Sequence, residues 1–288
     1  MKKLIFLALI SVLAGCASTD NTGSSSNDAE YAMPEELPSA ENAPSKTVAK
    51  PITPSAVIAA TSKTVEESES ELDSALKSQQ DERIRKAATD ALLKNPKDIK
   101  AMNALAMSYY RASQFTAALF LLNKAQNINE RSTVVLNNMG VVYLAQGETR
   151  AAIKAFKKVL EIDSSHALAA ANLGQIYVAR RAYDKAVTAY EIATSRGIRD
   201  WKTMNNYAIA LTGTANFAKA NDVYRDLMKS KGSEREVLFN YSILLIDHMS
   251  KYDEGLELIR KLQFIGPPGE SRRKVAELEQ KAKTATGK

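Results

Sequence analysis

Residues 133–166 read TVVLNNMGVVYLAQGETRAAIKAFKKVLEIDSSH, residues 167–200 read ALAAANLGQIYVARRAYDKAVTAYEIATSRGIRD, and the two align end to end without a gap. Gly140 falls over Gly174, Tyr143 over Tyr177, Ala152 over Ala186 and Phe156 over Tyr190, an interval of 34 residues. The same columns extend outward to Ala106, Tyr109, Ala118 and Leu122 on one side and to Ala208, Ala220 and Tyr224 on the other. A fixed period of this length is the mark of a stacked repeat, in which one supersecondary unit recurs along the chain. Within each unit apolar residues recur at three and four, the spacing of an amphipathic helix and not the alternation of a strand. The spacing predicts two helices per unit, for example Ser132 to Ala145 and Arg150 to Ile162, around a turn at Gln146-Gly147-Glu148. The fold class is therefore all-α, a helical solenoid.

The columns resemble the tetratricopeptide repeat (TPR), where a large-small pair precedes an aromatic residue and a later alanine precedes a bulky one. The pair reads Leu105-Ala106, Met139-Gly140, Leu173-Gly174, Tyr207-Ala208 and Tyr241-Ser242. The resemblance implies TPR frames at 99–132, 133–166, 167–200 and 201–234, and a TPR-like frame at 235–269 that carries one extra residue before Tyr252. Asn95-Pro96 places the family's closing proline in front of these frames and suggests a degenerate repeat over 65–98, with helices Val65 to Gln80 and Asp81 to Lys94. Gly266-Pro267-Pro268-Gly269 ends the series, and residues 270–288 hold a charged helix, Glu270 to Thr284, of the kind that caps a solenoid. The total is about five to six helix pairs plus a capping helix. The chain departs from the family at the tryptophan slot, filled by Met102, Leu136, Ala170, Met204 and Leu238.

Ahead of the repeats, Lys2-Lys3, an apolar run from Leu4 to Leu13 and Leu13-Ala14-Gly15-Cys16 form a pattern expected of a secretory signal over residues 1–15. The apolar run is about half the roughly 20 residues that a membrane span requires. Ala14-Gly15-Cys16 resembles a lipobox, which implies diacylglycerol and an N-acyl chain on Cys16 and no other cofactor. Ala17, not aspartate, comes after Cys16, which by the sorting rule of that class implies the outer membrane, facing the periplasm. Residues 16–64, rich in Ser, Thr, Asn, Ala, Pro and Glu, are expected to form a disordered tether.

Charge and chemistry narrow the function. The formal charge is +6; nine basic and fifteen acidic residues between Cys16 and Asp98 give −6, and twenty-eight basic and eighteen acidic from Ile99 onward give +10. A basic body suits acidic proteins, anionic cell-wall polymer or lipid headgroups. Cys16 is the sole cysteine, and His166 and His248 stand far from paired acids, so neither a disulfide framework nor a metal set is expected. No phosphate loop or nucleophile elbow occurs, and no enzyme, small-molecule substrate or nucleic-acid partner is expected. Lys157-Lys158 and Arg272-Arg273-Lys274 read as solvated helix faces.

In the family the first helix of each repeat lines the concave groove. There Asn138, Asn172, Asn206 and Asn240 recur at 34, and Asn103, Asn137 and Asn205 stand one residue earlier in their frames. Asparagine is a poor helix former, so propensity does not explain the column. It resembles the asparagine ladder of O-GlcNAc transferase repeats, which implies amides that grip the backbone of an extended partner. Bonds to neighbouring helix termini inside the solenoid are the alternative. Met107, Tyr110, Val141, Leu144, Ile209, Phe239 and Ile243 lie on the same face and offer an apolar stripe. Outer-membrane TPR lipoproteins include scaffolds of envelope and gliding-motility machines, pilotins that promote assembly of type IV pilus secretins, and cell-wall hydrolase adaptors. The resemblance thus implies envelope-protein partners, such as secretin or motility-complex subunits, with a peptidoglycan-binding module as a further reading.

Overall fold

The computed structural model describes residues 71–287. Cys16, the expected signal segment and tether, and residues 65–70 of the first expected helix lie outside the described residues. Helix α1, residues 71–78 as described, leads into α2 (Asp81–Lys94). Next come α3 (Ile99–Arg111), α4 (Phe115–Ile128), α5 (Thr133–Ala145), α6 (Thr149–Ile162), α7 (Ala167–Ala179), α8 (Tyr183–Ser195), α9 (Trp201–Gly213) and α10 (Phe217–Lys231). The series closes with α11 (Arg235–Ile243), α12 (Tyr252–Ile265) and α13 (Arg272–Thr286). There is no strand among the described residues.

Each frame forms its two helices from the same signals. Asp98, Ser132, His166 and Asp200, spaced by one period, accept from the backbone N–H three residues on and cap α3, α5, α7 and α9. His166 does so through Nδ1 to Ala169 N at 3.2 Å, which gives that histidine a structural use. Second helices lack a side-chain cap. The turn inside each repeat needs one left-handed residue, and only Gly147 supplies glycine; Ser113, Arg181, Ala215 and Ser250 adopt φ of 56–59° in the corresponding place.

Packing within a repeat obeys the period as well. Ala118, Ala152, Ala186 and Ala220 are fully buried, and the residues four further on, Leu122, Phe156, Tyr190 and Tyr224, are buried to within 1%. A Cβ on Gly140 would stand 2.6 Å from the Phe156 ring and one on Gly174 2.7 Å from the Tyr190 ring, closer than carbon atoms approach. Glycine therefore sets how near the two helices come.

The extra residue of the last frame is absorbed in a π-helical turn, Leu244–His248, at the end of α11. A widened turn takes up one added residue locally, so the helix face on either side keeps its register. Leu244, Leu245 and Ile246 accordingly stay buried. The capping helix starts two residues later than the sequence suggests, because Gly269–Ser271 forms a 3-10 turn first. Lys274, read from sequence as a solvated face, instead turns inward. Its Nζ donates to Asp247 Oδ2 at 2.9 Å, and Lys281 donates to Oδ1 at 2.6 Å.

Candidate functional site

First helices touch their counterparts one repeat on, α3 with α5, α5 with α7, α7 with α9 and α9 with α11, whereas second helices make no comparable contact with second helices. A stack whose members approach more closely on one side curves toward that side. The first helices thus form the inner wall, the arrangement that the resemblance implies.

The asparagines sit on this wall and bond to one another. The Asn138 amide donates to the Asn103 carbonyl at 2.8 Å, Asn172 to Asn137 at 3.4 Å, and Asn240 to Asn205 at 3.3 Å. Each bond spans 35 residues, joining the column residue of one repeat to the preceding column of the repeat before. The geometry is tightest at the first and lengthens at the others. The next rung is missing, since the residue 35 before Asn206 is Ala171. Asn206 lies instead beside the Tyr190 hydroxyl without closing a good hydrogen bond. Tyr190 Oη is buried and unpaired, and burial, opposed by the Asn206 amide, holds its pKa far above the ordinary tyrosine value.

Internal bonding does not exhaust an amide, which offers two N–H donors and a carbonyl. Asn103, Asn138, Asn172, Asn206 and Asn240 are all half-buried, while Asn137 and Asn205 are buried. Met107, Tyr110, Val141, Leu144, Ile209 and Ile243 are half-buried too, and Tyr110 leans on Phe115 with ring centroids 6.1 Å apart. Phe239 is different. It occupies the column of Asn103, Asn137 and Asn205, yet it is only 6% exposed and packs in the core, so it does not belong to the groove stripe.

Two groove residues escape the sequence reading. Val134 is 56% exposed and Leu168 is 55% exposed, on adjacent first helices and one period apart. Each stands one turn ahead of a column asparagine, Asn138 or Asn172, on the same helix face. The 34-residue register pairs them, but only the burial pattern separates them from neighbouring core residues. Among the described residues no group of histidine, cysteine and acid side chains could hold a metal ion.

The family comparison agrees with this architecture. Two tetratricopeptide-repeat models match the chain, at residues 134–166 and 169–200. The described chain is a TPR helical solenoid, an all-α protein-interaction fold. Among solved structures, Pseudomonas aeruginosa PilF superposes with a TM-score of 0.66 at 16% identity, over 76% of this chain and 99% of that one. YrrB, described as a TPR protein with an unusual peptide-binding site, gives 0.58 at 17% identity over 69% and 99%. A TPR protein from Parabacteroides merdae gives 0.54 at 16% over 80% and 91%. Identities this low establish the fold alone. No curated protein sequence matches the chain.

Proposed function

We propose that this protein is a non-enzymatic scaffold, anchored in the outer membrane through acyl chains on Cys16 and facing the periplasm, that binds partner proteins of an envelope machine along its inner wall. The observation that carries partner binding is the exposed pair Val134 and Leu168 beside the amide column. A solenoid buries large apolar residues wherever a neighbouring repeat can cover them. These two stay out at equal exposure on the two repeats that match the family best. An extended segment laid across α5 and α7 would cover both side chains while its backbone meets the second donors of Asn138 and Asn172.

Crosslinked native envelopes provide the test. Partner recovery with Val134→Asp/Leu168→Asp is expected to fall at least tenfold while the thermal midpoint stays within about 1–2 °C, because exposed positions contribute little to stability. Undiminished recovery would remove the inner wall from the function. A second reading, a pilotin promoting secretin assembly, draws on the overlap with the whole of PilF. The long segment between Cys16 and the repeats weighs against it, since pilotins usually carry the lipid close to their first repeat.

A further inference from the structure

The corner between α12 and α13 combines features that nothing on the inner wall explains. Phe264 is 92% exposed, the most exposed large apolar side chain among the described residues. It stands in the last turn of α12, directly before Ile265 and the break Gly266-Pro267-Pro268-Gly269. Around it the sequence RKLQFIGPPGESRRK, residues 260–274, holds five basic residues and one acidic, a local net charge of 5 − 1 = +4. Lys274 is drawn inward to Asp247, and Lys261 pairs with Glu257 at 2.8 Å. Arg260 and Arg272 remain exposed, and the Arg273 side chain is 81% exposed with only a 3.5 Å contact to Glu277. A surface pair of that kind is weak, and the guanidinium keeps further N–H donors for a second anion.

We propose that this corner is a membrane-contact tip that docks on an anionic lipid surface, with Phe264 entering the headgroup region and Arg260, Arg272 and Arg273 meeting lipid phosphates. An exposed aromatic residue with exposed arginines before and after it in the same helix–loop–helix corner matches such a surface in both chemistry and charge. The docking is peripheral, since no described helix is long and apolar enough to cross a membrane. Phe264 is held on a helix and two prolines fix the loop that follows it, so little conformational freedom remains to be lost on contact. An acidic protein partner would satisfy the arginines but gives no reason for a lone, almost fully exposed aromatic residue in the same corner. The proposal does not depend on the lipid on Cys16, although tethering at the other end of the chain would raise the tip's effective concentration at a bilayer.

The test places a reporter at the tip of the full-length chain. Cys16→Ser removes the one native cysteine, and Gly269→Cys offers an open position where an added Cβ meets nothing within 4 Å. An environment-sensitive fluorophore there, with a control label at Phe120→Cys on α4, is titrated with phosphatidylethanolamine/phosphatidylglycerol vesicles and with phosphatidylcholine vesicles. The tip label is expected to shift to the blue only on the anionic vesicles, and the control label to stay unchanged. Apparent vesicle affinity should fall about fivefold for each of Arg272→Gln and Arg273→Gln, and the blue shift should vanish in Phe264→Ala. No shift on anionic vesicles overturns the proposal and leaves the corner to an acidic protein. So does an equal response on neutral vesicles, at both labels, or in Phe264→Ala, each of which would report attachment through the apolar leader. Because no outcome involves the inner wall, the result stands apart from partner capture.

Discussion

Asn138 reaches back one repeat and donates its amide N–H to the Asn103 carbonyl at 2.8 Å, stitching α5 to α3 on the inner wall. The column that could be read as a ligand grip is thus also a seam between repeats, and the two uses separate energetically. In a double-mutant cycle on Asn103 and Asn138, the helix-propensity gain of each alanine cancels. The coupling should be about 0.5–1.5 kcal/mol, the range for one net hydrogen bond. Asn206→Ala lacks a rung to lose and should be neutral or slightly stabilising, because alanine is the better helix former. Urea midpoints measure both. A coupling near zero at Asn103/Asn138 would mean that the seam bond carries no stability and would leave ligand contact as the column's main use.

Much of this architecture is visible in the period alone. Small and large residues alternate in fixed columns, and a solenoid repeats the same burial in every unit, so Ala118 and Ala220 occupy equivalent core positions whichever frame they fall in. Even the extra residue before Tyr252 is detectable as a slip in register. Its form is not, because a single insertion can be taken up by a longer loop or a widened turn, and the burial of Leu244 to Ile246 decides for the π-helical turn. The site is less legible. Asparagine spacing places the amides on one wall but is silent on their partners, since a bond between repeats and a bond to a ligand demand the same residue. Phe239 shows the limit: column membership suggests the groove, yet this large apolar ring is only 6% exposed and joins the core cluster of the last repeats.

Gly174 exists because the Tyr190 ring lies where a Cβ would go, 2.7 Å away. Alanine in an unobstructed helix interior gains about 1 kcal/mol over glycine, so the sign of Gly174→Ala reports the contact. Overpacking against a ring only 1% exposed should dominate and leave the variant about 1–2 kcal/mol less stable. The chain itself supplies the rescue, since Ala106 is matched with Leu122 in the first frame. Gly174→Ala/Tyr190→Leu should therefore recover part of the loss. Ala208 beside Tyr224 shows that a repeat can be built around alanine and a tyrosine together, so a fully tolerated Gly174→Ala would mean that this repeat shifts in the same way. Thermal or urea unfolding distinguishes the outcomes.

Ala215 and Ser113 hold left-handed backbone, φ 59° in both, at the turn where Gly147 supplies a glycine. The conformation costs a residue with a Cβ about 1 kcal/mol, against which glycine brings a more flexible unfolded chain. Ala215→Gly is expected to be the more stabilising of the pair, by several tenths of a kcal/mol up to about 1, because an alanine side chain has no polar group with which to hold the turn. At roughly 2–4 °C per kcal/mol for a body of this size, the gain falls within reach of a melting curve. A fall in midpoint for Ala215→Gly would show that turn geometry costs less here than unfolded-state entropy.

Acid should release the capping helix through Asp247. Burial raises the pKa of this carboxyl, but the bonds from Lys281 and Lys274 outweigh it, and the net shift is downward from the ordinary 3.8. A depressed acid contributes stability above its unfolded value and loses it as pH falls through the lower folded value, so the α13 contact should weaken below about pH 4. Next to it, His248 stacks on Phe217 with ring centroids 4.9 Å apart, and burial lowers its pKa from 6.5. A depressed base has the converse window: stability declines once pH drops below 6.5, where the unfolded histidine gains its proton first. Protection factors of the α13 amides, which allow for the slower intrinsic exchange in acid, should therefore fall in two steps, the first beginning below pH 6.5 and the second below about pH 4. Asp247→Asn should abolish the lower step and, by removing the anion that favours a charged imidazole, extend the upper one further below its unchanged onset at 6.5. A lower step that survives Asp247→Asn would assign acid release to other carboxylates. The most direct of these is Glu279, which receives Lys283 and Gln263 on the same helix pair.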